Sequence, residues 1–377
     1  MSPLLRAFAF AAVALALLSA VTASAQPSVQ AFPGALGYGA IATGGHGGTV
    51  YHVTNLNASG AGSFEDAVSQ GGRIIVFDVG GYIQLDGPIS ASSNLTIAGQ
   101  TAPGGGIAVF GGETSFDGQN NDVVRGMRFR DGSLDPNWQS TSATPSSHLN
   151  AVNLGSATNM IFDHCCFEFA AYNNIDATAC VNATIQYCIF ADPIDEQQFN
   201  GHFETGPQTF IDNLWANSHG RNPLGKSNLQ FVNNIVYNYQ YAMTTGDSSG
   251  AFNWDVINNY FISGPSTTDA NDAYYQVDST QSAYATGNLL DGNNDGILNG
   301  SSSNTVNGAT VLSSPYFNST YSVPTTSLPT LTATNAFYTV TSNSGPYPRD
   351  QVDSQVVSQV LSLGTSGRLF GTQADTG

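Results

Sequence analysis

The sequence predicts an all-β fold, a right-handed single-stranded parallel β-helix, and three observations predict it. Short segments with alternating apolar positions recur through the middle of the chain: VVRGMRF (123–129), MIFDHCCF (160–167), TIQYCIF (184–190), TFIDNLW (209–215), QFVNNIVY (230–237), DVINNYFI (255–262) and AYATGNLL (283–290). Four of these segments carry an asparagine at the corresponding place, Asn213, Asn234, Asn259 and Asn288, at intervals of 21, 25 and 29 residues. Between the segments lie Gly, Ser, Asn, Asp and Pro with no helical pattern. One short strand in every 20 to 30 residues, roughly, is the signature of a stacked solenoid, and the LxxLxL pattern of leucine-rich repeats is absent. Stacking explains the asparagine: an inward-turning amide at a corner can bond both the backbone there and the amide of the next turn. The same alignment places Tyr187 and His164 in that column one and two turns before Asn213.

The elements follow in order. Arg6, the apolar run AFAFAAVALALLSAV and then Ala23-Ser24-Ala25 read as a secretory signal peptide over 1–25, cleaved before Gln26. The run is shorter than the roughly 20 apolar residues needed to span a bilayer. The domain is then 26–377, secreted and extracellular. Before residue 120 the chain is rich in glycine but carries strand-like TVYHV, RIIVFDV, LTIAG and GIAVFG. None of its glycine clusters matches GxxxxGK[ST], so they read as turns rather than a phosphate loop. Ser63 followed by Asp66 predicts a short capping helix over 63–70. After about residue 300 Ser, Thr, Asn and Pro dominate. The one helical pattern there, QVDSQVVSQVLS (351–362), is expected to pack on the side or end of the solenoid.

Composition narrows the function. The chain has 377 residues, 27 acidic and nine basic, for a formal charge of −18, and loss of Arg6 with the signal would make it −19. A charged fraction of 10% with 41 glycines excludes a coiled coil, and 21 Phe with 16 Tyr exclude global disorder. With Lys226 the only lysine, neither nucleic acid nor an anionic membrane is an expected partner. A monomer is expected. Export permits disulfides among Cys165, Cys166, Cys180 and Cys188, with one or two local bridges or buried thiols as the alternatives. Five sequons begin at Asn57, Asn94, Asn182, Asn299 and Asn318 and would carry glycans in a eukaryotic host.

Several stretches resemble the secreted pectate lyase-like family: AFPGALGYGAIATGGHGGTVYHVTNLNASGAGSFEDAV from residue 31, NLTIAGQTAPGGGIAVFGG, VVRGMRFRDG, FDHC at 162–165, SHGRNPLGKSNLQFVNNIVYN at 218–238, and PYPRDQVDSQVV near the C-terminus. Together they cover about residues 31 to 365. The resemblance implies a right-handed parallel β-helix, and cleavage of pectate or another acidic plant or microbial polysaccharide by β-elimination at a uronic acid, usually with calcium. Elimination needs a base near the carbon and something to neutralise the adjacent carboxylate. The family's RxP motif stands here as Arg221-Asn222-Pro223, which implies Arg221 as the base, with Lys226 as a second cation. His202 falls where the family has a substrate-binding lysine.

The family's four calcium carboxylates align with His148, Asn150, Tyr172 and Asp176, so three of the four are replaced. The resemblance leaves Asn150, Asn173 and Asp176 as the ligands of a weak calcium site completed by the substrate carboxylate. His148 and Tyr172 would flank the same groove, and such a pair can act as base and acid once Asn150 or Arg221 neutralises the carboxylate. Tyr172 can equally be a sugar-stacking platform. Asp163-His164 reads as structural. Two other functions compete. A β-helical glycoside hydrolase would need converging carboxylates from Asp176, Asp192, Asp195, Glu196 and Glu204. A carbohydrate-binding or adhesive β-helix would explain the lost metal carboxylates.

Overall fold

The structure is a computed structural model that describes residues 30–136, 150–195, 197–268, 273–318 and 328–376. The signal-like segment and His148 lie outside the described residues. Strands stack in parallel into two long sheets. The first runs through Thr49–Val53, Arg73–Phe77, Leu95–Ala98, Asn120–Arg125, Thr158–Asp163, Asn173–Gln186, Phe199–Ile211, Leu224–Val232, Asn253–Ile257, Ser282–Thr286 and Thr310–Val311. The second runs through Gly81–Gln84, Ile107–Phe110, Met127–Arg130, Cys166–Glu168, Ile189–Ala191, Leu214–Ser218, Ile235–Tyr239, Tyr260–Ile262, Leu289–Asp291 and Ser301–Ser302, only the last pair being antiparallel. This is the parallel β-helix that the repeat predicts.

In-register stacking turns sequence repeats into columns. Phe162, Ile185, Phe210, Phe231 and Val256 stand one above another, and Phe129, Phe167, Phe190, Trp215, Val236 and Phe261 form the column facing them. The Phe190 and Trp215 rings lie parallel at 3.8 Å, and Phe210 meets Trp215 edge-on at 5.8 Å. All these side chains are buried, so each turn adds a layer to one continuous core.

The asparagine ladder is present, and longer than predicted. Asn213 donates to Asn234 (3.0 Å), Asn234 to Asn259 (3.2 Å), Asn259 to Asn288 (2.9 Å) and Asn288 to Asn304 (3.3 Å). Each amide also bonds a backbone carbonyl of the turn before, such as Ile185 O and Phe210 O. The expected places of Tyr187 and His164 are one residue off. Cys188 and Cys165 hold the ladder column, with Cys188 N donating to Asn213 Oδ1. His164 and Tyr187 belong to the preceding left-handed column with Asp212, Asn233 and Asn258, where the side chain turns outward. There their rings stack at 4.9 Å, because the inner corner has room for an amide or a thiol and not for a ring. The disulfide alternative is likewise corrected: all four cysteines are free and buried, and burial pushes the Cys180 thiol up to about 12. Two of the sequons fall in another stacked column, Asn94, Asn121, Asn159 and Asn182, where the Asn182 amide donates to Asn159.

The capping helix is Phe64–Val68, with Ser63 accepting from Asp66 N and with Phe64, Ala67 and Val68 buried. The tail holds two helices rather than the one predicted, Ala333–Asn343 and Gln351–Leu361. The first is poor in helix formers and rich in Thr and Asn; Thr332 caps it, and packing of Ala336, Phe337 and Val340 holds it. Both lie on the outer face of the second sheet, against Ile189, Leu214, Ile235 and Tyr260. Beside them two buried arginines of Met127–Arg130 reach the second helix: Arg128 Nε donates to Asp353 (2.7 Å), and Arg130 to Asp350 (2.6 Å), Asp353 (3.0 Å) and Glu168. No helix among the described residues is long and apolar enough to cross a membrane.

Two predictions follow from the interior. Asn234→Ala removes the acceptor of Asn213 N and one donor each from the Phe210 and Val232 carbonyls, and should lower the unfolding free energy by about 2 to 4 kcal/mol in chemical denaturation. Burial pushes the Asp122 and Asp192 carboxyls up to about 8. The unfolded chain releases these protons near pH 4 while the folded chain keeps them, so stability is highest at the acid side and falls as pH rises toward 8. The slope approaches about 1.4 kcal/mol per pH unit per group. Asp122→Asn should flatten that decline in denaturation curves taken between pH 5 and 8.5.

Candidate active site

Three strands, Asn173–Gln186, Phe199–Ile211 and Leu224–Val232, are long because they continue across the bend between two faces of the solenoid. Their first halves carry the predicted site residues. Strand alternation sends His202 and Glu204 outward with Phe203 buried between them, and parallel register stacks Asp176 against His202 and Glu204 against Lys226. His202 Nδ1 lies 3.3 Å from Asp176 Oδ2, its Nε2 lies 2.9 Å from Glu204 Oε1, and Lys226 Nζ lies 3.2 Å from the same Glu204 oxygen. Ionised carboxylates only accept, so whichever ring nitrogen carries a hydrogen donates to the carboxylate it faces. Burial works to raise the Asp176 carboxyl, but bonds from His202 and Thr178 outweigh it and hold the group below its usual range. Glu204 is held low in the same way, against partial burial, by His202 and Lys226.

Asn173 joins this row to Arg221. Its Nδ2 donates to Asp176 Oδ2 (3.1 Å) and Asn150 Oδ1 (3.4 Å), while Arg221 Nη1 donates to its Oδ1 (2.8 Å). The Asn150 amide donates onward to Glu113 Oε2 at 3.0 Å. The result is one polar line, Glu113, Asn150, Asn173, Asp176, His202, Glu204 and Lys226, with Arg221 attached at Asn173. Arg221 stands at a left-handed position (φ 58°), and its guanidinium lies 3.9 Å over the Phe199 ring and 5.1 Å from that of Tyr172. No carboxylate among the described residues pairs with it; its hydrogen-bond partner is the neutral Asn173 amide. An inner ladder, Asn174 to Asn200 (2.8 Å) to Asn222 (2.7 Å), fixes the turn from behind, so that the RNP motif sends its arginine out and its asparagine in. Gly220 is required there, since a Cβ would sit 2.1 Å from the Tyr241 ring.

The structure thus brings together Arg221, Lys226, His202, Tyr172, Asp176, Asn150 and Asn173, while His148 falls outside the described residues. Two partners escaped the sequence reading. Glu113 follows two glycines in a stretch that reads as turns, and only the pairing of Thr114 with Val152 brings it beside Asn150. Glu204 reads as a spare carboxylate until its register with Lys226 is known. An open cleft of about 450 Å³ continues from this end of the line, lined by Glu204, Lys226, Asn228, Ser248, Ser249 and Phe252.

The residues at the calcium positions do not fit that ion. Calcium takes about six to eight oxygen ligands, several of them carboxylates. Here Arg221 can only donate, so Asn173 must offer it oxygen and turn its NH₂ toward Asp176 and Asn150. Amide hydrogens occupy the space where metal-binding lone pairs would converge. The oxygens of Asp176, the one retained carboxylate, already accept from Asn173, His202 and Thr178.

No family model matches the chain. Among known proteins it is 38% identical to a probable pectate lyase C of Aspergillus flavus over 360 residues, covering 93% of this chain and 81% of that one. A probable pectate lyase C of Neosartorya fischeri is also 38% identical, over 370 residues, covering 95% and 83%. Among solved structures, the thermostable pectate lyase PL 47 superposes with a TM-score of 0.58 at 15% identity over 82% of this chain and 96% of that one. Jun a 1, the major allergen from cedar pollen, gives 0.56 at 16% identity over 83% and 92%. The structural likeness is one of fold, and the sequence likeness, which spans most of both chains, carries the assignment: the chain belongs to the pectate lyase family of polysaccharide lyases.

Proposed function

We propose that the protein is a secreted monomeric lyase that cleaves pectate, or a closely related uronic-acid polysaccharide, by β-elimination with Arg221 as the base. The observation that carries the reading is the state of Arg221: a guanidinium beside the polar line, stacked on Phe199 and bonded to a neutral amide, with no carboxylate among the described residues to hold its proton. Arginine ordinarily titrates above about 12, so a neutral guanidine is rare at pH 7 and grows about tenfold with each pH unit. In the reaction the C5–H bond of the uronic acid breaks and its proton goes to Arg221. The C4–O bond then breaks, its electron pair leaves on the glycosidic oxygen, and that oxygen takes a proton from water. A C4=C5 double bond remains, and Arg221 returns its proton to solvent. Lys226 and His202, both on Glu204 beside an open cleft, are assigned to the sugar carboxylate, and the cleft has room for a further sugar.

Among the described residues, which do not include Glu196, the hydrolase reading lacks its geometry. Asp176 and Glu204 are engaged with His202, and Asp192 is buried, bonded to Asn217 and pushed up to about 8. Incubating the protein with polygalacturonate should give ultraviolet absorbance from an unsaturated product. Reducing ends without that absorbance would indicate hydrolysis, and binding without either would indicate an adhesin. Arg221→Ala should lower turnover by about 10² to 10⁴. The wild-type rate should rise through pH 9, and an unchanged rate in Arg221→Ala would remove Arg221 from the mechanism.

A further inference from the structure

We propose that this protein works without a resident divalent cation, and that Lys226 and His202 receive the carboxylate of the substrate in its place. This rests on the lyase reading above and adds to it how the carboxylate is held. The amide geometry is self-consistent and leaves no alternative orientation at Asn173: turning its side chain over would aim NH₂ at the Arg221 donor and oxygen at the Asp176 carboxylate. With Asn173 fixed, Asn150 meets it through oxygen and meets Glu113 through NH₂. A divalent ion entering between Asn150 and Asp176 would have to break three hydrogen bonds and would gain one carboxylate.

The positive charge lies a turn away, on side chains. His202 and Lys226 share one Glu204 oxygen, at 2.9 and 3.2 Å, and Glu204 and Lys226 are each more than a quarter exposed at the edge of the cleft. Glu204 thus occupies the place of a ligand carboxylate between Lys226 and His202. A sugar carboxylate arriving at the cleft meets the same two donors and can exchange with Glu204, which is free to swing toward solvent. The exchange conserves charge: one carboxylate leaves the pair as another enters. No bond is made or broken, and no metal is needed to neutralise the sugar before proton removal. The Asn150–Asn173–Asp176 line then holds Arg221 in place instead of a metal.

Two measurements on the purified protein test this. Titration calorimetry with calcium chloride should give no binding heat at millimolar ion, and the thermal unfolding midpoint should be the same with calcium and with excess chelator. Polygalacturonate turnover should agree within about twofold in the same two conditions. Tight calcium binding by the wild type, or turnover abolished by chelator and restored by calcium, would overturn the proposal. If no unsaturated product forms under any condition the lyase reading fails, and calorimetry still decides the cation question by itself. The double variant Asn150→Asp, Asn173→Glu places two further carboxylates beside Asp176, and should acquire calcium binding that the wild type lacks. Lys226→Met should raise KM for polygalacturonate at least tenfold with an unchanged unfolding midpoint, and Lys226→Arg should recover most of the loss. A KM unchanged in Lys226→Met would remove Lys226 from the substrate carboxylate.

Discussion

In-register parallel stacking is the constraint on which everything else in this protein depends. A residue is placed beside its counterpart in the next turn, so a side chain is tolerated only if it can live next to its own kind or a complement. Apolar rings satisfy this by stacking and asparagines by donating amide to amide, which is why both recur as columns. Charged residues cannot repeat along a column without repulsion, and the chain carries few of them. Where charges do occur on the outer face they alternate in sign across turns: Asp176 against His202 and Glu204 against Lys226. The polar line of the active site is the same stacking rule applied to ionised groups.

That rule also resolves the tension between a formal charge of −18 and an acidic substrate. Net charge sets the long-range field, which here offers a polyanion no attraction. On the function proposed above, recognition is local, made by Arg221, His202 and Lys226 within a few turns of one another, against carboxylates that a uronan can replace. The acidic surface and the cationic site act at different distances and do not contradict each other.

Fold and site were legible to different degrees, for physical reasons. The ladder could be read because Asn213, Asn234, Asn259 and Asn288 share a residue type. The single-residue error at His164 and Tyr187 arose because Asp-His and Asp-Asn look alike in an alignment and differ in which side of the corner they face. The column through Asn94, Asn121, Asn159 and Asn182 was hidden by turn lengths that vary as loops are inserted. The helix Ala333–Asn343 is made by packing rather than propensity, so its sequence does not announce it. Arg221 and Lys226 were visible as a motif. Their distinguishing circumstances, an arginine bonded to a neutral amide and a lysine sharing its carboxylate with a histidine, exist only once the turns are stacked.

The arginine clamp between Met127–Arg130 and the helix Gln351–Leu361 ties an early turn to the end of the chain, joining Arg128 to Asp353 across 225 positions. Two of the family's signature segments are the two halves of this contact. During synthesis the early turns can stack as they emerge, but the outer face of the second sheet, with its two buried guanidinium groups, stays uncovered until the tail arrives. Completion of the molecule is therefore a late event, set by the final helix rather than by the growing solenoid. A chain in transit across a membrane would remain loosely closed until its last helices had followed, and a truncated chain would expose an apolar strip and leave Arg128 and Arg130 without Asp350 and Asp353.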